Sequence, residues 1–425
     1  MNYRYTYLSP GYLGKYCESG TINSQYYGVF FDLLANNPNL INQIIVLPQR
    51  IPRRDFFREL YELETDRYRS DFNLIVKKLL DNHQRAFHDL TKNDTWENSR
   101  RYLNWSYVLM RYGYFKDILN NFPAKNISSC ALEMCLLKEL TKTQILLSDG
   151  NNVVVDDYLY LVEKFLTRKE TTIREKILLL NQTIVNFYRH QQDKSISKTI
   201  HHLSDALLKL LAPLDANNFM NILYSSVAYR GLAMDFEYGT AVRFSFLNKA
   251  EQLARTIHCK TTVEQIIAKD NLFTCIQSLS KWYLQQQDSS KAEEYLTELI
   301  SIDPFDATGF SELGFFYFNL NRIEAAADCF EKAMQLGPPG SGMNAYYYAK
   351  CLEQLGDEYH SIKYLYEATK LDTCGVSAWL DLLFCFIKKK QIDKASDIAH
   401  HLYESLTLFE QLEDEEKATV RSFIE

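Results

Sequence analysis

Apolar and small residues recur with a period of 34 or 35 residues through the last third of the chain. In the clearest copy an aromatic, a leucine, a small residue and a tyrosine precede an alanine, an aromatic, an alanine and a proline. These residues are Phe310, Leu313, Gly314, Tyr317, Ala326, Phe330, Ala333 and Pro338. A period of this length predicts stacked pairs of helices, because one pair alone cannot bury its apolar face.

Three further copies keep the same register. Their residues are Ile276, Leu279, Ser280, Tyr283, Ala292, Leu296, Leu299 and Pro304; Ala345, Tyr348, Ala349, Leu352, Ser361, Leu365 and Ala368; and Trp379, Leu382, Leu383, Phe386, Ala395, Ala399 and Leu402. In the clearest copy we expect helices over residues 307–319 and 323–336. Gly314 would let the second helix approach the first, and Tyr317 and Phe330 would fill the seam between them.

This order of residues resembles the consensus of the tetratricopeptide repeat family. The resemblance covers residues 272–411, roughly a third of the chain. It implies an all-α fold in which helical hairpins stack into a right-handed superhelix. It also implies that a protein or peptide partner binds in a concave groove lined by the first helix of each hairpin.

The rest of the chain also favours helix, because it has few glycines and prolines and apolar residues at helical spacing. We expect an N-terminal helical region over residues 1–211, a divergent helical hairpin over 212–271 and a capping helix over 412–425. The N-terminal region is either a separate bundle or a run of degenerate repeats. Its predicted helices cover residues 25–34, 54–63, 68–90, 96–112, 129–147, 156–166, 172–190 and 195–211, and its only strand-like segment covers residues 153–155.

The family geometry selects eight candidate partner-binding residues on the predicted first helices. They are Gln277, Lys281, Ser311, Phe315, Tyr346, Lys350, Leu380 and Phe384. Some members of the family grip a terminal carboxylate with paired Lys and Asn residues. This chain departs from that pattern, because no Asn lies among these positions and two are phenylalanines.

We therefore expect an apolar groove that binds a helix or an extended segment through hydrophobic anchors, with Lys281 and Lys350 setting its orientation. The alternative is that Phe315, Tyr346 and Phe384 pack against a neighbouring helix or against the chain's own tail.

Charge divides the chain unevenly. Residues 1–211 hold 28 basic and 23 acidic residues, whereas the remainder holds 19 basic and 31 acidic residues. Arginines and aromatics alternate in the N-terminal part, a composition that can bind nucleic acid. An excess of five positive charges over 211 residues is too small for a phosphate-binding surface, so we expect no nucleic-acid partner.

The nine cysteines form no C-x-x-C pair, which favours a reducing, cytoplasmic location. No run of 18 apolar residues predicts a membrane span. No nucleotide loop, nucleophile motif or metal-ligand spacing is present, so we expect no cofactor, no metal site and no catalytic residue. A catalytic N-terminal helical domain stays open as an alternative.

The sequence therefore predicts a non-catalytic scaffold or adaptor that holds a peptide or protein segment in its groove. Two alternatives stay open. One is a peptide-sensing regulatory protein that changes conformation when its ligand binds. The other is an accessory subunit of an enzyme complex.

Overall fold

A computed structural model describes residues 72–111, 115–123, 131–148, 156–169, 171–189, 195–215, 217–236, 239–260, 262–304, 307–336, 341–370 and 376–424. Within these ranges every regular element is a helix and there is no strand, so the all-α expectation is confirmed. The helices predicted over residues 25–34 and 54–63 and the strand-like segment over residues 153–155 lie outside the described residues.

The described residues form two compact units, and the boundary follows Ile302. The helices of the first unit are α1 Phe72–Lys92, α2 Trp96–Arg111, α3 Phe115–Asn120, α4 Ala131–Ser148, α5 Asp156–Thr167, α6 Ile173–Arg189, α7 Ser195–Leu211, α8 Phe219–Leu232, α9 Ala241–Arg255, α10 Thr262–Gln285 and α11 Ser289–Ile302, with a 3₁₀ turn at Ala233–Asp235 after α8. Neighbouring helices in the sequence pack against each other along this unit.

A core of large aromatic side chains holds the first unit together. Trp105, Tyr102, Tyr224, Phe165 and Phe273 are its largest fully buried side chains. Burial of such rings removes large apolar areas from water and supplies much of the folding free energy. Fully buried aromatic rings therefore occur in helices from α2 to α10.

One buried polar pair lies between α1 and α2. His83 and Ser106 are both 0 % exposed, and His83 Nε2 lies 3.0 Å from Ser106 Oγ. The His83 ring also packs on Tyr102, with ring centroids 5.0 Å apart. Burial lowers the pKa of His83 to about 4, because the apolar surroundings disfavour the charged imidazolium.

The second unit contains the later repeats. Its helices are α12 Ala307–Asn319, α13 Ile323–Leu336, α14 Ser341–Gln354, α15 Glu358–Thr369, α16 Ser377–Lys388, α17 Ile392–Glu404, α18 Leu406–Phe409 and α19 Asp414–Ser422. Helices α12 and α13 have the bounds predicted from the clearest copy. Each helix from α12 to α17 packs on the next, and α19 packs on α17.

The seam between α12 and α13 depends on the absence of a side chain. A Cβ atom at Gly314 would lie 2.9 Å from Phe330 Cε1, closer than van der Waals contact allows. Phe330 is 0 % exposed and fills the space beside this glycine. The predicted roles of Gly314 and Phe330 at the seam are thus confirmed.

The turn between the two helices of each pair has the same backbone geometry in all four copies. One residue per turn has a positive φ. The N–H of the residue after it donates to the carbonyl oxygen of the residue five positions before the donor, at 2.9–3.0 Å. This pattern is a Schellman motif, which closes the end of a helix. The residues with positive φ are Gln287, Asn321, Gly356 and Lys390, with φ of 59°, 59°, 85° and 56°.

We expect Lys390→Gly to raise the free energy of unfolding by about 0.5–1 kcal/mol, because glycine adopts a left-handed conformation without steric cost. Gly356→Ala is the matched change in the opposite direction. A Cβ at Gly356 would meet nothing within 4 Å, so its expected loss is purely conformational. Urea unfolding measures the change in the free energy of unfolding of each variant. If both variants change it in the same direction, the assigned role of the left-handed turn residues is wrong.

Candidate functional site

The first helices of the later repeats carry a connected polar network on one face of the second unit. Tyr346 on α14 donates its hydroxyl to Asp381 Oδ2 on α16 at 3.0 Å. Lys350 Nζ lies 3.1 Å from the same Asp381 oxygen and 2.7 Å from Glu353 Oε2. Asp381 therefore joins two neighbouring first helices through a phenol and an ammonium group.

The surroundings of this network keep its donors protonated. Burial raises the pKa of the Tyr346 hydroxyl well above its ordinary value, and the adjacent Asp381 carboxylate raises it further. Burial opposes the charge of Lys350, but its contacts with Glu353 and Asp381 outweigh burial and raise its pKa. Tyr346 and Lys350 thus both stay protonated donors to Asp381.

Two predicted groove residues at equivalent positions of the repeat differ in their surroundings. Phe315 on α12 packs edge-on against Phe330 and Tyr347, with ring centroids 5.1 and 4.6 Å apart. Phe384 on α16 is 43 % exposed. Among the described residues, no aromatic ring packs on Phe384 as Tyr347 packs on Phe315.

Phe384 is therefore exposed to solvent, whereas Phe315 belongs to the packing between helices. The alternative that predicted groove aromatics pack within the chain describes Phe315. It also describes Tyr346, which is half-buried and bonded to Asp381.

The other predicted groove residues fall into different environments. Leu380 is 8 % exposed and lies in the apolar core of the last two helix pairs. Ser311 on α12 donates its hydroxyl to Asn344 Oδ1 on α14. Gln277 is half-buried and Lys281 is exposed, both on α10 in the first unit.

Asp381 was missed in the sequence, although it organises the network. The available signal was its distance of 35 residues from Tyr346, which is one repeat period. Residues one period apart lie at corresponding positions of neighbouring first helices, so a donor and an acceptor at that spacing can meet. Ser311 and Asn344, which are 33 residues apart, meet in a similar way.

Metal-binding clusters and membrane-spanning helices are both absent from the described part of the chain. No group of three or more His, Cys, Asp or Glu residues there is arranged to hold a metal ion. None of its helices combines the length and the apolar character that crossing a membrane requires.

Comparison with known families identifies the repeats. Residues 275–306 and 309–338 match the family model described as tetratricopeptide repeat. These residues are tetratricopeptide repeats, which confirms the predicted resemblance for the first two copies, and they support a protein-interaction scaffold. The third and fourth copies lie beyond the match but share its turn geometry.

No curated protein matches the chain. Among solved structures, MamA of AMB-1 is 19% identical and is matched over 45% of this chain and 97% of its own, with a TM-score of 0.28. The apo form of RapI is 10% identical over 81% of this chain and 97% of its own, with a TM-score of 0.45.

A signal transduction ATPase with numerous domains and a tetratricopeptide repeat sensor, from Pyrococcus horikoshii, is 13% identical. It is matched over 95% of this chain and 66% of its own, with a TM-score of 0.47.

Proposed function

We propose that the second unit is a non-catalytic scaffold that binds a segment of a partner protein on the face formed by α14 and α16. The exposure of Phe384 carries this proposal. An aromatic side chain that is 43 % exposed beside a fixed polar network offers a partner both an apolar anchor and oriented charges.

Met343 extends the apolar part of this face. It lies near the start of α14 and is 41 % exposed. The ammonium of Lys350 and the carboxylates of Glu353 and Asp381 lie on the same two helices, and Lys350 stands at the repeat position of Phe384. A bound segment would place apolar side chains on Met343 and Phe384 and polar groups over the network.

The preformed network also lowers the entropic cost of binding. Because Tyr346, Lys350 and Asp381 already hold each other, a partner orders few additional side chains when it binds. The network therefore contributes orientation, whereas the apolar anchors contribute most of the affinity.

We expect Phe384→Glu to weaken binding of the partner segment by about 30-fold or more, because it places a charge where an apolar anchor would be buried. A photo-crosslinking amino acid at position 384 of the full chain identifies the partner polypeptide. A synthetic peptide from the crosslinked region then gives the affinity by isothermal titration calorimetry.

Leu320→Glu is the matched control. Leu320 is 44 % exposed but lies in the turn after α12, away from the proposed face. Both variants should keep the helical circular dichroism of the unaltered chain. If the peptide binds Phe384→Glu as tightly as it binds Leu320→Glu, the proposed face is wrong.

A further inference from the structure

Helices α13, α15 and α17 are the second helices of their repeats. They carry different kinds of residue at equivalent outward positions. The outward positions of α15 carry Tyr359, Lys363 and Tyr366, which we call the tyrosine stripe. Tyr359 is 78 % exposed and Tyr366 is 36 % exposed. One period before and after them lie exposed acidic residues, which we call the acidic flanks: Glu324, Asp328 and Glu331 on α13, and Asp393 and Asp397 on α17.

The acidic flank on α17 lies next to the stripe. Tyr366 packs on Phe386 of α16, with ring centroids 6.0 Å apart. Burial raises the pKa of the Tyr366 hydroxyl, and the nearby Asp397 carboxylate raises it further. The Phe386 ring also lies 5.3 Å from Lys394 Nζ of α17, so α15 and α17 meet at this ring.

One residue, Tyr348 of α14, lies between the acidic flank on α13 and helix α15. Tyr348 on α14 lies edge-on to Tyr364 of α15, with ring centroids 4.8 Å apart. Burial raises the pKa of Tyr348, and Glu331 and Asp328 on α13 raise it further. These carboxylates thus lie near a tyrosine that touches the helix of the stripe.

The cations of α15 are already engaged, whereas the flanking acids are not. Lys370 Nζ lies 2.8 Å from Glu367 Oε1, and Lys363 Nζ lies 5.4 Å from the centre of the Tyr364 ring. Among the described residues, none of the five carboxylates of the acidic flanks forms an ion pair. Helices α13 and α17 each carry three carboxylates against one lysine.

This charge distribution indicates which class of molecule the surface can bind. Nucleic acid and anionic lipid surfaces would be repelled by the acidic flanks. A protein segment with an apolar centre and positive edges would bury the two tyrosine rings and pair with both flanks. Tyr359 and Tyr366 are two helical turns apart, about 10 Å, so two anchors on one face of a helix can reach both.

We propose that the outer face of α13, α15 and α17 is a second docking surface, which binds a basic amphipathic helix of a partner protein. The apolar side of that helix packs on Tyr359 and Tyr366, and its lysines or arginines pair with Asp328 and Asp397. This surface is formed by second helices, so it is separate from the face that carries Phe384.

Two fluorescent synthetic peptides of about 18 residues test this surface with the full chain. Both carry leucines along one helical side, and the flanking positions are lysines in one and glutamates in the other. At about 150 mM salt, we expect the lysine peptide to bind and the glutamate peptide not to bind. Tyr359→Ser with Tyr366→Ser, and separately Asp328→Lys with Asp397→Lys, should each weaken binding about tenfold or more.

Tyr160→Ser, which changes a tyrosine that is 56 % exposed on α5, is the matched control and should leave the affinity for the lysine peptide unchanged. Circular dichroism checks that the four surface substitutions keep the helices. If the lysine peptide binds the tyrosine variant as tightly as the unaltered chain, the attraction is diffuse and no docking surface exists. Equal binding of the glutamate peptide would likewise overturn the proposal.

Discussion

Phe330→Ala is expected to lower the free energy of unfolding of the second unit by about 3–5 kcal/mol. The Phe330 ring is 0 % exposed and contacts the rings of Phe315 and Tyr347 from α12 and α14. Its removal leaves a cavity that the glycine opposite cannot fill. Urea unfolding followed by circular dichroism measures the loss, and hydrogen exchange over residues 307–336 locates it.

A double-mutant cycle makes this prediction specific to the seam. In the unaltered chain, Gly314→Ala should destabilise the fold because its Cβ would meet Phe330 at 2.9 Å. In the Phe330→Ala background the same change should stabilise by about 1 kcal/mol, since alanine favours helix over glycine and the ring is gone. Tyr359→Ala, which changes an exposed side chain, is the control. An equal cost of Gly314→Ala in both backgrounds would contradict the packing described.

Acid should weaken the packing of α1 on α2 through His83. Its pKa is 6.5 when unfolded and about 4 in the fold, so below pH 6.5 the unfolded chain binds a proton that the folded chain excludes. The contribution of neutral His83 is therefore complete above pH 6.5 and is lost progressively as the pH falls to about 4. The total loss is about 3 kcal/mol.

Comparison of His83→Gln with the unaltered chain isolates this effect from other titrating groups. The free energies of unfolding at pH 7.5 and pH 4.5 should differ more in the unaltered chain than in His83→Gln. His88→Gln, an exposed position on the same helix, serves as the control and should keep the pH dependence of the unaltered chain. Identical pH dependence in His83→Gln and the unaltered chain would refute the role of burial.

The sequence predicted the helices well because their signals are local. The predicted ranges 156–166 and 195–211 correspond to Asp156–Thr167 and Ser195–Leu211. Thr95 Oγ1 accepts from Asn98 N at 3.2 Å and so caps the start of α2. Helical periodicity and capping residues need no knowledge of distant neighbours.

The candidate site was harder to predict because it depends on what covers each side chain. The repeat register places Phe315 and Phe384 at the same position, yet only Phe315 has Tyr347 beside it. Leu380 was assigned to the groove, but it is buried in the core. A shift of one residue along a helix turns a side chain by about 100°, so a pattern read along one helix does not fix its neighbours.

The four Schellman turns bear on how the chain folds during synthesis. Each closes through hydrogen bonds between backbone atoms only five residues apart or fewer. Such contacts carry little loop-closure entropy, and topologies rich in them fold fast. Each turn can therefore form as soon as it leaves the ribosome, whereas the apolar face of a helix pair stays open to aggregation until the next pair has been translated and stacks on it.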